Sequence, residues 1–241
     1  MLTPNELEML SEMSSFCVSD FLRVCQINGC ALGEAVMRKR LQRLLKAGEI
    51  IRIGRNAYSV PQNGVGYYWH TYSDEATRVA QIMSDQFPMA EFAIFELVQL
   101  NEFTKHLLAH NVMFLSVESD IAEFVFETLK SYFPGKVLLN PTAEIYFRYW
   151  YDGMIVINRL ITEAPKGRQE RWHTSLEKML VDLVADPLLL GSIGDSEYPR
   201  IFEAAISKYV INKNRLQRYA RRRSAVSRFE TLYGDGKKIT D

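Results

Sequence analysis

The stretch from Gly33 to Val60, GEAVMRKRLQRLLKAGEIIRIGRNAYSV, constrains this chain most. Val36, Met37, Leu41, Leu44 and Leu45 recur at the spacing of one buried helix face. The opposite face carries Arg38, Lys39, Gln42, Arg43 and Lys46. Gly48 follows, a residue that takes the left-handed conformation at a helix end at no steric cost. Ile51, Ile53, Tyr58 and Val60 then alternate with polar neighbours around Gly54-Arg55-Asn56, which predicts a short hairpin with a basic tip. Helix, glycine stop and arginine-tipped hairpin, in that order, describe a recognition helix and its wing, a unit shaped to lie against duplex DNA. The plainer alternative is a solvated charged helix beside an ordinary hairpin.

The residues upstream supply the rest of such a unit. Thr3-Pro4-Asn5-Glu6 is a helix start: Thr3 caps, Pro4 fits the first helical position, and Glu6 reaches back to close a capping box. Leu7, Leu10 and Met13 give that helix its apolar stripe. A second helix is expected over Ser19–Ile27, with Phe21, Leu22 and Cys25 inward and a stop at Asn28-Gly29. Three helices and a wing in residues 1–62 match a winged helix-turn-helix. Pro61–Gly66 reads as a linker, and Tyr67, Tyr68, Trp69 and Tyr72 follow it as an aromatic cluster suited to an interdomain contact or, less economically, to base stacking.

Residues 67–241 carry a mixed pattern. Strands are expected at Phe92–Phe95, Val112–Val117, Lys136–Leu139 and Met154–Asn158. Helices are expected near Ala76–Gln86, Leu97–His110, Asp120–Tyr132 and Pro141–Trp150, the last two capped by Ser119 and Asn140. The tail reads as helices at Leu176–Val184, Pro199–Ile211, Arg215–Arg222 and Ala225–Tyr233. The expected fold class is therefore α+β or mixed α/β: an N-terminal winged helix-turn-helix, then a larger α/β domain with a helical C-terminal tail.

Net charge is zero, but its distribution is uneven. Residues 1–62 hold eight Lys/Arg against six Asp/Glu; residues 63–204 hold 11 against 20; residues 205–241 hold 10 against 3. Basic ends around an acidic centre meet phosphates only through particular faces. No apolar run approaches the ~20 residues that span a bilayer. Acids stand in MLTPNELEML where a secretory signal places lysines, and Cys17, Cys25 and Cys30 match no zinc spacing. Small thiols in a reducing cytoplasm are the expectation.

Candidate chemistry is sparse. Glu102, His106 and His110 can share a helix face, yet Leu107 stands where a zinc-protease helix needs its Glu, so no metal site is expected. Asp152 with Glu163-Ala164-Pro165-Lys166 approximates a restriction-type nuclease pattern, with the wrong spacing and a proline inside the strand. Gly191–Asp195 lacks the paired aspartates of a nucleotidyltransferase and reads as a loop. Thr174 capping a helix and answered by Glu177 accounts for that acid. Arg221-Arg222-Arg223 ends a helix, where cations meet the negative end of the dipole, or forms with Arg218 a second phosphate-contacting surface. No catalytic residue and no cofactor is assigned. A nuclease-like enzyme and a ligand-responsive regulator remain the competing classes.

Two regions resemble the AbiEi-like antitoxins of bacterial type IV toxin–antitoxin systems. The first is RLQRLLKAGEIIRIGRNAYSV at Arg40–Val60. The second pairs HTSLEKMLVDLVADP at His173–Pro187 with NRLQRYARRRSAVSRFETLYG at Asn214–Gly234. The resemblance implies a wing domain that represses its own operon and a C-terminal domain that neutralises a nucleotidyltransferase-like toxin, with or without a stable complex. Family wings commonly carry Arg-Gly where this chain has Arg55-Asn56-Ala57, and Asn tolerates the positive φ such a turn needs.

The expected partner is duplex DNA at the protein's own promoter. Glu34, Met37 and Arg38 are assigned to base edges; Lys39, Gln42, Arg43, Arg52, Arg55 and Asn56 to phosphates or the minor groove. Oligomeric state is left open by the sequence.

Overall fold

A computed structural model describes residues 1–13, 16–30, 33–47, 49–54, 56–60, 67–104, 107–193 and 197–233; the statements below concern these. The chain divides into two compact units, Met1–Tyr68 with Ile206–Asn214, and Trp69–Ala205 with Arg215–Asp241. The linker expected at 61–66 lies outside the described residues. Ile206–Asn214, expected in the larger domain, groups with the N-terminal unit.

The first unit runs α1 (Pro4–Ser11), α2 (Val18–Ile27), α3 (Glu34–Ala47), β1 (Ile51–Gly54) and β2 (Ala57–Ser59). Thr3 and Glu6 form the expected capping box. Glu6 itself is buried, and Leu7 turns outward at 44% exposed, so α1 is rotated from the expected stripe. The cause is Arg40 on α3, whose Nη1 and Nη2 each donate to Glu6 at 2.7 Å. Burial pushes the Glu6 carboxyl up, but Arg40 and the Thr3 N–H outweigh it and hold it at about 2. Val24 joins Phe21 and Cys25 inside, and Leu22 packs half-buried against them. Leu10, Phe16, Met37, Leu41, Leu44, Ile50, Tyr58 and Val60 complete that core. Phe16 and Tyr58 exchange backbone hydrogen bonds of 2.8 Å, tying the hairpin to the segment before α2.

The second unit is built on a four-stranded sheet of β3 (Phe92–Glu96), β4 (Val112–Val117), β5 (Val137–Leu139) and β6 (Met154–Arg159). Their order is β3-β4-β6-β5, with β3 antiparallel to β4 and the other pairings parallel. Central β4 is buried along its whole length, which explains a run that is apolar but for Ser116. Residues of α4 (Asp74–Gln86) and α5 (Ala122–Tyr132) cluster with Met113, Leu115, Ile155 and Ile157 on one face. On the other face Phe114 meets Phe95 and Tyr146, the latter from α6 (Ala143–Arg148).

Four sequence expectations change here. Leu97–His110 is a 3₁₀ segment over Leu97–Glu102, because Leu97, Leu100 and Phe103 recur every third residue, the 3₁₀ period. Ile121 and Thr142 cap α5 and α6; Asn140 instead adopts φ 41° in the turn before Pro141. Ser175 caps α7 (Leu176–Ala185), while the Thr174 hydroxyl donates to the Ile94 carbonyl at 2.7 Å. Asp186-Pro187 opens a further helix, α8 (Pro187–Ser192), which takes in Gly191 and Ser192 of the expected loop; Asp186 accepts from the Leu188 N–H at 2.9 Å. The tail continues as α9 (Tyr198–Lys208), α10 (Lys213–Arg222) and α11 (Val226–Tyr233). Among the described residues no helix is long and apolar enough to cross a membrane.

Candidate nucleic-acid interface

On α3, Met37, Leu41 and Leu44 stack inward at four- and three-residue steps. That rotation leaves Arg38, Lys39, Gln42 and Arg43 exposed on a single face. A row at positions i, i+1, i+4 and i+5 is contiguous on a helix surface and can follow a phosphate backbone or enter a groove. The assignment of Met37 to a base edge is corrected: it is 1% exposed and belongs to the core. The outward position falls to its neighbour Val36, 49% exposed.

Glu34 is the first residue of α3, and its side chain is outside the described atoms, as is that of Arg52. Arg55 and Gly48 lie outside the described residues. α3 ends at Ala47, and the Glu49 N–H bonds the Leu44 carbonyl at 3.0 Å. Arg52 pairs with Tyr58 in the hairpin, and the register shifts between Arg52 and Gly54. Asn56 holds φ 54° at the tip, the conformation its amide side chain tolerates. Its Oδ1 accepts the Val18 N–H at 3.2 Å, so one end of that amide fixes the wing to the start of α2.

The candidate second basic surface is narrower than its sequence suggests. Arg223 is corrected to an internal role: it is 17% exposed, with Nε 3.1 Å from Asp182 Oδ1 and Nη2 3.7 Å from Asp186 Oδ2. Asp182 also accepts from Lys178 at 2.6 Å and from the Tyr219 hydroxyl at 2.9 Å. Burial pushes the Tyr219 phenol and the Asp186 carboxyl up. Glu177–Asp182 and the stretch from Leu216 to Arg223 are therefore two halves of one buried polar network between α7 and the end of α10. Arg222 donates to Thr162 at 2.7 Å, Arg218 stands 3.8 Å from Glu163, and Arg221 is exposed.

Other sequence candidates resolve locally. Asp152 and Glu163 flank β6, before and after it, and engage the Asn111 N–H and Arg218 respectively. The His110 ring meets Trp150 edge-on at 5.4 Å, and His106 is outside the described residues. No group of three or more metal-ligating side chains occurs among the described residues. Tyr72, expected at an interdomain contact, is internal to the second unit: its ring meets Trp172 and His173, and its hydroxyl donates to Ile94 O at 2.9 Å.

One buried acid escaped the sequence reading. Glu96, 0% exposed at the end of β3, accepts from the Ser73 N–H at 3.0 Å, the Ser73 hydroxyl at 2.7 Å and the Asn111 amide at 2.8 Å, with His70 Nε2 at 3.7 Å. Burial pushes its carboxyl up, and these donors more than reverse that, holding it below the ordinary value. Glu-Leu at the end of a strand carries no pattern by which partners from residues 70, 73 and 111 could be foreseen.

A three-helix unit with a hairpin wing, joined to a helix-covered mixed sheet, defines a winged-helix protein with an appended α/β domain. The chain belongs to a family of unknown function, DUF6577, matched over residues 36–238. No curated protein matches the chain. A crystal structure of the RV2827C protein from Mycobacterium tuberculosis aligns over 98% of this chain and 82% of its own, at 10% identity and a TM-score of 0.25. That alignment is too loose to add to the fold described above.

Proposed function

We propose that the N-terminal unit binds duplex DNA, that the protein represses its own promoter, and that it serves as the antitoxin of a type IV toxin–antitoxin system. One observation carries the DNA-binding reading: Arg38, Lys39, Gln42 and Arg43 are exposed together on the helix that precedes the hairpin. Arg38 stands nearest the helix start, where recognition helices contact base edges. Arg43 and Lys39 supply phosphate contacts, and the wing extends the contacted surface. The antitoxin reading is supported by the resemblance of Arg40–Val60, His173–Pro187 and Asn214–Gly234 to AbiEi-like antitoxins. The partner it implies is a nucleotidyltransferase-like toxin.

Mobility shift with the protein's own upstream DNA tests the first part. Wild type is expected to retard it, and the Arg38→Ala/Arg43→Ala double variant, folded by circular dichroism, to fail. Undiminished binding by that variant refutes the assignment. Co-expression with a neighbouring nucleotidyltransferase-like protein tests the second part: growth restored by this chain supports it, and unrelieved toxicity rejects it.

A further inference from the structure

We propose that Cys25 and Cys30 form a thiol pair that hydrogen peroxide converts to an intramolecular disulfide. Two independent observations place the sulfurs together. The first is the way α2 ends. The Cys30 N–H bonds the Cys25 carbonyl at 2.8 Å and the Gly29 N–H bonds the Gln26 carbonyl at 3.1 Å, with Gly29 at φ 77°. These are the paired bonds of a Schellman motif, in which the third residue from the helix end and the second residue beyond the cap, Asn28, face each other. An apolar contact usually occupies those two positions; here both are cysteine. The 2.8 Å bond between their main chains draws the two backbones together, as a disulfide with its ~4.4–6.8 Å Cα separation requires.

The second observation is Arg40. Its Nη1 lies 3.3 Å from Cys25 Sγ and 3.9 Å from Cys30 Sγ, so a single guanidinium nitrogen touches both sulfurs. The two thiols differ in access. Cys30 is partly exposed, whereas Cys25 is buried and its thiol is pushed up to about 12. Peroxide therefore meets Cys30 first, because its side chain is the one of the two open to solvent. Cys17 caps the other end of α2, about 12 Å along the helix axis from Cys25, with its Sγ 2.9 Å from the Asp20 carboxylate. It is the internal control.

The chemistry balances with one peroxide. The Cys30 thiolate attacks a peroxide oxygen; an S–O bond forms, the O–O bond breaks, and hydroxide departs as water after protonation. Cys25 sulfur then attacks the Cys30 sulfenic acid; the S–S bond forms, the S–O bond breaks, and the Cys25 proton leaves with the oxygen as a second water. The two sulfurs are oxidised and the peroxide is reduced.

Peptide mapping of the full chain tests this. Cleavage after Arg23 and Arg38 releases residues 24–38 with both members of the pair, and residues 1–23 with Cys17. After brief peroxide treatment and alkylation, the 24–38 peptide is expected to be two hydrogens lighter and unalkylated, restored by dithiothreitol, while Cys17 stays alkylated. Cys30→Ser is expected to abolish the bridge. Cys25→Ser is expected to leave a Cys30 sulfenic acid that dimedone traps; if that variant does not fold, the wild-type map decides. Full alkylation of both thiols after peroxide, over-oxidation of Cys30 without a bridge, or a bridge to Cys17 overturns the proposal.

Discussion

Replacing Arg40 by alanine isolates the interaction that sets the tilt of α1 against α3. Glu6 is 1% exposed and bonded at both oxygens to a guanidinium that is itself 20% exposed. A drop in the carboxyl from its ordinary 4.5 to about 2 corresponds to roughly 3 kcal/mol in favour of the ionised fold at neutral pH. Arg40 is the largest contributor to that drop, ahead of the Thr3 N–H. Its loss is expected to cost about 2–3 kcal/mol, just below the usual range for stranding one member of a fully buried pair. The linkage has a definite sign. A folded-state value below the unfolded one stabilises at all pH above about 4.5, and the contribution is lost as pH falls from there towards about 2. Amide hydrogen exchange in the intact protein is the suitable assay, since it reads α1 and α3 separately from the second unit. Protection there is expected to fall roughly 30- to 150-fold in Arg40→Ala at pH 7. Glu6→Leu/Arg40→Met, which removes both charges, is expected to recover most of the loss. A change below about threefold in Arg40→Ala refutes the reasoning.

Two further outcomes follow from packing and polar satisfaction. Asp182→Ala removes the shared acceptor of Lys178, Tyr219 and Arg223; urea unfolding of the second unit, followed by tryptophan fluorescence, is expected to show a loss of about 3–5 kcal/mol. Phe21→Ala empties a fully buried position in the first core and is expected to cost about 3–5 kcal/mol by exchange of the α2 amides, with no change in the second unit's unfolding.

The sequence discloses local periodicity well and side-chain partnership poorly. All four sheet strands lie where alternation and apolar runs place them, because burial on two faces leaves little else for Val112–Val117 to do. The capping box of α1 is legible because its partners are three residues apart. Arg40 and Glu6 are 34 residues apart, and only the fold shows why this arginine of α3 turns away from its charged neighbours. Glu96 is hidden in the same way, with donors from three separate segments. Met37 misleads for a different reason. Adjacent apolar residues at 36 and 37 leave the helix phase open by one position, and the core chose the longer side chain. Arg223 looks like its three basic neighbours until Asp182 and Asp186 are brought beside it. Asp186-Pro187 carried a clear helix-start signal that its position at the end of another helix concealed.

Fluorescence anisotropy of a labelled upstream duplex, titrated across salt concentrations, tests the DNA-binding claim most directly. Wild type is expected to bind with an affinity that falls steeply with salt, and Arg38→Ala/Arg43→Ala to lose affinity with a slope shallower by about one, the share of the phosphate contact at Arg43. Equal affinities and equal slopes for the two proteins contradict it.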